Sequence, residues 1–274
     1  MKSILIPIDY SAYAKTSINL GITLAKKTGA ELFLLNVFKG PDDWNRISVD
    51  QQQMHPEIEG NMVEAEINME RITKDKMFKG VKVTGIVRPG VIQEQIQHFA
   101  KLYKCELVIM GAHGKGESHR YFIGSHAQKV LRTLDCPVLS VKKDFKAGSV
   151  KRVLFAADFE ENLIKAFGKM AGFIKAAGAS VDLVFINTPG HFKESLPMQK
   201  GMDKLMKAYP DIKMRSLIYN ANEVERGIIE VADFLKAQVI AKITHDRRHK
   251  PGYYFGVTES LLYKSKLPVL SLVV

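Results

Sequence analysis

The stretch KSILIPIDYSAYAKTSINLGITLAKKTGA, residues 2–30, holds a strand, a turn and a helix in sequence order. Ile4 to Ile8 is a short apolar run without the polar alternation of a sheet with one wet face, so it reads as a buried parallel strand. Ser11 is placed to cap a helix. Ala14, Ile18, Ile22 and Ala25 then recur at helical spacing until Gly29 ends it. The same unit returns later in the chain. Lys2-Ser-Ile-Leu-Ile-Pro-Ile-Asp9 lies over Lys151-Arg-Val-Leu-Phe-Ala-Ala-Asp158, and the same offset of 149 pairs Gly29-Ala30 with Gly178-Ala179.

Further along the offset falls to 132, where AKLYKCELVIMG from Ala100 matches ADFLKAQVIAKI from Ala232. Cys136-Pro-Val-Leu-Ser140 then matches Leu267-Pro-Val-Leu-Ser271. The chain is a duplication, read as domains 1–146 and 147–274 with a small polar junction near Lys146-Ala-Gly-Ser149. The fall in offset gives the first copy about 17 extra residues, which we place in Gly40 to Glu59. Within the first copy, strands are expected at Ile4–Ile8, Glu31–Phe38, Val81–Val87, Glu106–Met110 and Val138–Val141. Helices are expected after Ser11 and over Met62–Met77, Val91–Leu102 and Ser125–Thr133. Strand and helix alternating in this way describe two tandem doubly wound α/β domains, each with a five-stranded parallel sheet.

Composition narrows the functional classes. The 274 residues are 46% apolar, enough for a large core, and carry two cysteines, Cys105 and Cys136, with no paired spacing. This usage fits a reducing cytoplasm. The N-terminus is broken by Pro7 and Asp9, which argues against a signal peptide, and no run approaches the ~20 apolar residues of a membrane span. The net charge of +11 is divided almost evenly, +5 in residues 1–146 and +6 in the rest, so it reads as dispersed solvated charge rather than a nucleic-acid surface.

The chemistry concentrates in GAHGKGESHRYFIGS, residues 111–125. Gly111 closes the fourth strand at its carboxyl edge, where open α/β sheets bind ligands. Gly111 and Gly114 let backbone N–H groups approach an anion, and Gly124-Ser125 opens a helix whose first amides suit a phosphate. A P-loop is excluded because Glu117 stands where its lysine must be, and the Rossmann glycine triplet is incomplete.

The spacing Gly, two residues, Gly, nine residues, Gly-Ser resembles the ATP-binding members of the universal stress protein family. The resemblance extends to Ile6-Pro7-Ile8-Asp9, Leu34 to Val37 and Cys136-Pro-Val-Leu139. It implies an adenine nucleotide alpha hydrolase-like, Rossmann-like fold and ATP, with or without Mg, as ligand. Carried over by residue, Asp9 contacts the ribose, Val37 meets adenine through its backbone, and Gly111, Gly114, Gly124 and Ser125 hold the phosphates. His113 stands where family members often place an arginine, and Pro7, Ile8, Met110 and His126 complete the candidate set. The second copy has Ile243, Asp246, Gly256 and Val257 in the glycine register, so its site reads as degenerate and its role as structural.

Other readings remain open: a slow ATPase using Asp9 and Mg²⁺, or a nucleotide-free interaction or chaperone-like module. No catalytic residue or metal set is assigned. His113, His119, His126, His245 and His249 cluster in the two corresponding loops and read as loop histidines rather than zinc ligands. Trp44 reads either as a lid over adenine or as a loop aromatic. The last strand of each copy is a bare apolar edge. Family members commonly dimerise through it, so the two copies are expected to pair within the chain as a pseudo-dimer or with a second chain as a homodimer.

Overall fold

The computed structural model describes residues 1–41, 44, 47–112, 130–146, 148, 150–159, 163–244 and 256–274. In the first half, β1 (Ser3–Pro7) leads into α1 (Ala12–Thr28), β2 (Glu31–Phe38), α2 (Val49–Gln53), α3 (Pro56–Thr73), β3 (Val83–Pro89), α4 (Ile92–Leu102), β4 (Leu107–Gly111) and β5 (Val138–Val141). The second half runs through β6 (Arg152–Ala156), α5 (Leu163–Ala177), β7 (Ser180–Asn187), α6 (Ser195–Ala208), β8 (Met214–Asn220), α7 (Val224–Phe234), β9 (Val239–Thr244), α8 (Val257–Lys264) and β10 (Val269–Val273).

Local chemistry sets the element ends as the sequence implies. The Ser11 hydroxyl accepts from the Ala14 amide at 3.2 Å, and Gly29 closes α1 at φ 73°, a conformation glycine adopts without steric cost. The duplication is written in the backbone as well. Six of the eight described residues with positive φ form matched pairs: Tyr10 with Phe159, Gly29 with Gly178, and Lys104 with Lys236.

The strands form one ten-stranded sheet in the order β3-β2-β1-β4-β5-β10-β9-β6-β7-β8. Every pairing is parallel except β5 with β10, which is antiparallel in the register Val269↔Ser140, Leu270↔Leu139 and Ser271↔Val138. The two expected five-stranded sheets are therefore joined edge to edge inside the chain, and each apolar edge satisfies the other. Core side chains cover both faces. Ile18 and Ile22 of α1, Met69 of α3, Phe167 of α5 and Met202 of α6 lie on one face; Ile96 of α4, Ile228 of α7 and Leu261 of α8 lie on the other.

Polar contacts also cross the junction. Arg132 donates through Nε to Oε1 of Glu259 at 2.8 Å, and its Nη2 lies 2.7 Å from the same oxygen, with the Glu259 side chain only 7% exposed. The Lys142 ammonium donates to the Leu262 carbonyl in the last turn of α8, where a cation suits the helix end. Burial pulls its pKa down to about 8. Below that value the ammonium is charged in both folded and unfolded chains. Between pH 8 and its ordinary pKa the unfolded chain binds more protons, so this group makes stability rise with pH. Lys142→Met is accordingly expected to stabilise the fold by about 1–2 kcal/mol at pH 7, with the gain shrinking towards pH 10. Denaturant melts at the two pH values measure it.

Several boundaries differ from the periodicity. The helix expected at Met62–Met77 begins at Pro56, whose ring suits the first turn, and gives way to a single 3-10 turn at Lys76–Phe78 capped by Asp75. The third strand is displaced to Val83–Pro89. The extra residues of the first copy divide between two places. From Phe38 to Thr73 is 35 residues against 21 from Asn187 to Ala208, and from Thr73 to Val83 is ten against six from Ala208 to Met214. The longer insertion contains α2, with a capping box at Ser48 and Gln51, and buries Trp44 to 5% exposure with its ring edge-on to His55 at 6.3 Å.

Candidate functional site

From β1 the chain moves outward to β2 and β3 on one side and to β4 and β5 on the other, so the strand order reverses between β1 and β4. The crevice at the carboxyl ends of such a pair is the ligand position of doubly wound sheets. Pro7, Ile8 and Asp9 lie at the end of β1, Met110 and Gly111 at the end of β4, and Val37 near the end of β2. Tertiary structure thus gathers six of the sequence-selected residues at one sheet edge. His113, Gly114, Gly124, Ser125 and His126 lie outside the described residues, as do His119, His245 and His249.

Ile8 is 5% exposed and its amide donates to the Leu35 carbonyl at 2.8 Å. A continued ladder would offer the Ile8 carbonyl to the Val37 amide. That carbonyl instead accepts from Nδ2 of the buried Asn36 at 2.9 Å. Leu35 faces β1, so by the two-residue alternation of a strand the main-chain groups of Val37 face the same edge, beyond the last pairing with β1. Asn36 was not among the sequence-selected residues. Its available signal was a lone polar residue inside the apolar run Leu32–Val37.

Asp9 Oδ1 accepts from the Ser11 amide at 3.0 Å, so the carboxylate is fixed at the start of α1. Tyr10 follows at φ 60°, and its hydroxyl donates to the Ala65 carbonyl of α3 at 3.3 Å. Burial, reinforced by Glu64, raises the pKa of this phenol. On the β4 side Met110 is buried, Gly111 pairs with Val141, and the Ala112 amide donates to the Val141 carbonyl at 2.9 Å.

The hydrogen-bonded pairing of β1 with β4 ends at Leu5↔Val108, although both strands continue. Because Ile8 donates to β2, alternation turns Pro7 towards β4. Proline has no N–H to give, and the ladder stops there. The second half differs. Ala156 occupies the matching place, and β6 stays paired with β9 through Phe155↔Ala241 and Ala156↔Lys242. Ile243, the counterpart of Gly111, is 6% exposed within the core. Among the described residues no group of three or more His, Cys, Asp or Glu is arranged to hold a metal, and no helix is long and apolar enough to cross a membrane.

Residues 1–142 match the family model described as the universal stress protein family. Among curated relatives, universal stress protein MJ0531 of Methanocaldococcus jannaschii is 30% identical over 153 residues, 53% of this chain and 84% of that protein. MJ0577 of the same organism is 27% identical over 154 residues, 52% of this chain and 95% of that protein. Across the full length, the crystal structure of a universal stress protein from Archaeoglobus fulgidus superposes with a TM-score of 0.76 at 18% identity, covering 99% of this chain and 98% of the other. At that identity the likeness establishes the fold.

Proposed function

Since this chain belongs to the universal stress protein family, we propose that its first half, residues 1–146, binds ATP and that its second half, residues 147–274, is a ligand-free structural partner. The reading rests above all on one asymmetry: the β1–β4 ladder is interrupted by Pro7 at the switch point, whereas the β6–β9 ladder is intact. An interrupted ladder leaves main-chain groups at the sheet edge for a ligand instead of a neighbouring strand.

Asp9 would face the ribose and the Val37 main chain the adenine, with Met110 and Gly111 beginning the phosphate-binding segment. His113, Gly114, Gly124, Ser125 and His126 complete it on the strength of the family pattern, with Mg²⁺ accompanying the triphosphate. The described residues contribute binding and orientation. One carboxylate oxygen of Asp9 is held by the Ser11 amide, which fixes the side chain before a sugar arrives.

The deciding experiment is mass spectrometry of small molecules released on denaturing freshly purified protein, with calorimetric titration of ATP in the presence and absence of Mg²⁺. An adenine nucleotide bound at one site per chain supports the proposal. Absence of both co-purified nucleotide and measurable ATP binding overturns it. A Pro7→Ala variant, which restores an N–H to the ladder, is expected to weaken ATP binding about tenfold, or 1.4 kcal/mol, while leaving the thermal midpoint equal or higher.

A further inference from the structure

We propose that the first half carries a second small-molecule site, a cleft between Tyr10 and α3 that takes a planar nitrogen heterocycle with an exocyclic amino group, of nucleobase or nucleoside size and without phosphates. The cleft is about 400 Å³, within the range of small-ligand sites, and lies at the carboxyl edge of the sheet, reached by Tyr10, which directly follows Asp9 in the chain, and by Phe38 at the end of β2. It is lined by Tyr10 and Phe38, and on the helix side by one stripe of α3 in which Asn61, Glu64, Asn68 and Arg71 flank the apolar Ala65 and Ile72. These positions recur three or four residues apart, so they share one face of the helix.

The second half shows what this place looks like as core. Phe159, the twin of Tyr10 in sequence and in its positive φ, is 5% exposed. Helix α6 closes over it with Met198, Met202 and Leu205, the last two fully buried. Gly201 makes the closure possible, since a Cβ there would stand 2.4 Å from the Phe159 carbonyl oxygen. The first half keeps the aromatic residue but leaves Tyr10 39% exposed and places two carboxamides and two opposite charges around Ala65 and Ile72 on the facing stripe. A polar stripe facing aromatic rings across an open cleft is the composition of a binding pocket, apolar surfaces with a few placed polar groups, and not of a packing face.

The lining selects the ligand class. Two aromatic rings offer stacking surface to a planar ring, worth about 1–3 kcal/mol per base. Oδ1 of Asn68 is already held by Arg71 Nη2 at 3.2 Å, so its Nδ2 donors are the group left for a ring-nitrogen acceptor. Glu64 accepts from an exocyclic amino group. Glu64 and Arg71 together give the stripe no net charge, so it holds no excess positive charge to draw a triphosphate, which separates this ligand from the one proposed for the neighbouring crevice.

Adenosine serves as the probe, titrated against the full chain by saturation-transfer NMR, alongside calorimetric titration of ATP. Asn68→Leu installs the residue type that α6 buries at Leu205, and Tyr10→Asn removes the ring while tolerating positive φ. Both variants are expected to weaken adenosine binding at least about tenfold, within the range set by one stacked ring, and to change ATP affinity less than about twofold. Adenosine binding that is absent at millimolar concentration overturns the proposal. So does adenosine binding that survives both variants and is lost in Asp9→Asn, because the ring would then occupy the crevice.

Discussion

ATP binding is expected to weaken at least about a hundredfold, close to 2.7 kcal/mol, when Gly111 is replaced by aspartate. Gly111 is the last residue of β4, paired with Val141, and its position begins the segment proposed to meet the phosphates. A carboxylate there sets a negative charge against a triphosphate, and within a few ångströms in a partly desolvated crevice such repulsion amounts to several kcal/mol. The backbone accepts a side chain here, since Gly111 has no positive φ and the second half carries Ile243 at the matching place, and the half-buried end of β4 leaves an aspartate within reach of solvent. Gly111→Ile separates the causes. If bulk alone blocks the site, both variants lose affinity equally at all salt concentrations. If charge dominates, the aspartate variant recovers part of its affinity as salt rises and the isoleucine variant does not. Undiminished ATP affinity in both would remove Gly111 from the site.

Leu270→Asp is expected to cost more than about 4 kcal/mol, a large part of the total stability of an ordinary domain. Leu270 is fully buried and pairs with Leu139 across the antiparallel junction. The substitution removes a core side chain and leaves an uncompensated carboxylate in its place. Its effect should reach the first half as well. β10 is hydrogen-bonded to β5, β5 to β4, and β4 to β1, which ends at Pro7 and leads into Asp9. Chemical denaturation followed by circular dichroism measures the loss, and ATP titration tests whether the crevice fails with the junction. A variant that melts within about 1 kcal/mol of the parent would show that the junction contributes little to the fold.

Much of the architecture is legible in residue order. Ser11 and Gly29 mark the ends of α1 because a hydroxyl cap and a left-handed glycine act over a few residues. The run from Ile4 to Ile8 reads as a buried strand because its apolar pattern is local, and Gly111 reads as a sheet-edge residue because it follows Leu107–Met110. The start of α3 is less legible. Its exposed Val63 and Ile67 weaken the apolar periodicity, and Pro56 marks the helix start six residues before the periodicity does. Trp44 is similarly opaque, since nothing near it in sequence indicates the burial that α2 and His55 provide.

By itself, the order of residues determined that this protein is a duplicated strand–helix chain with a glycine-bearing sheet edge in its first copy, because caps, periodicities and repeats are short-range signals. Only the tertiary structure decided that the two copies share one sheet through β5 and β10, and that Pro7 ends the β1–β4 ladder while Ala156 continues its twin. It also decided that the place Phe159 fills in one copy is an open cleft beside Tyr10 in the other. These outcomes depend on which backbone groups and side chains meet across long separations, and a local pattern carries no record of its distant partner.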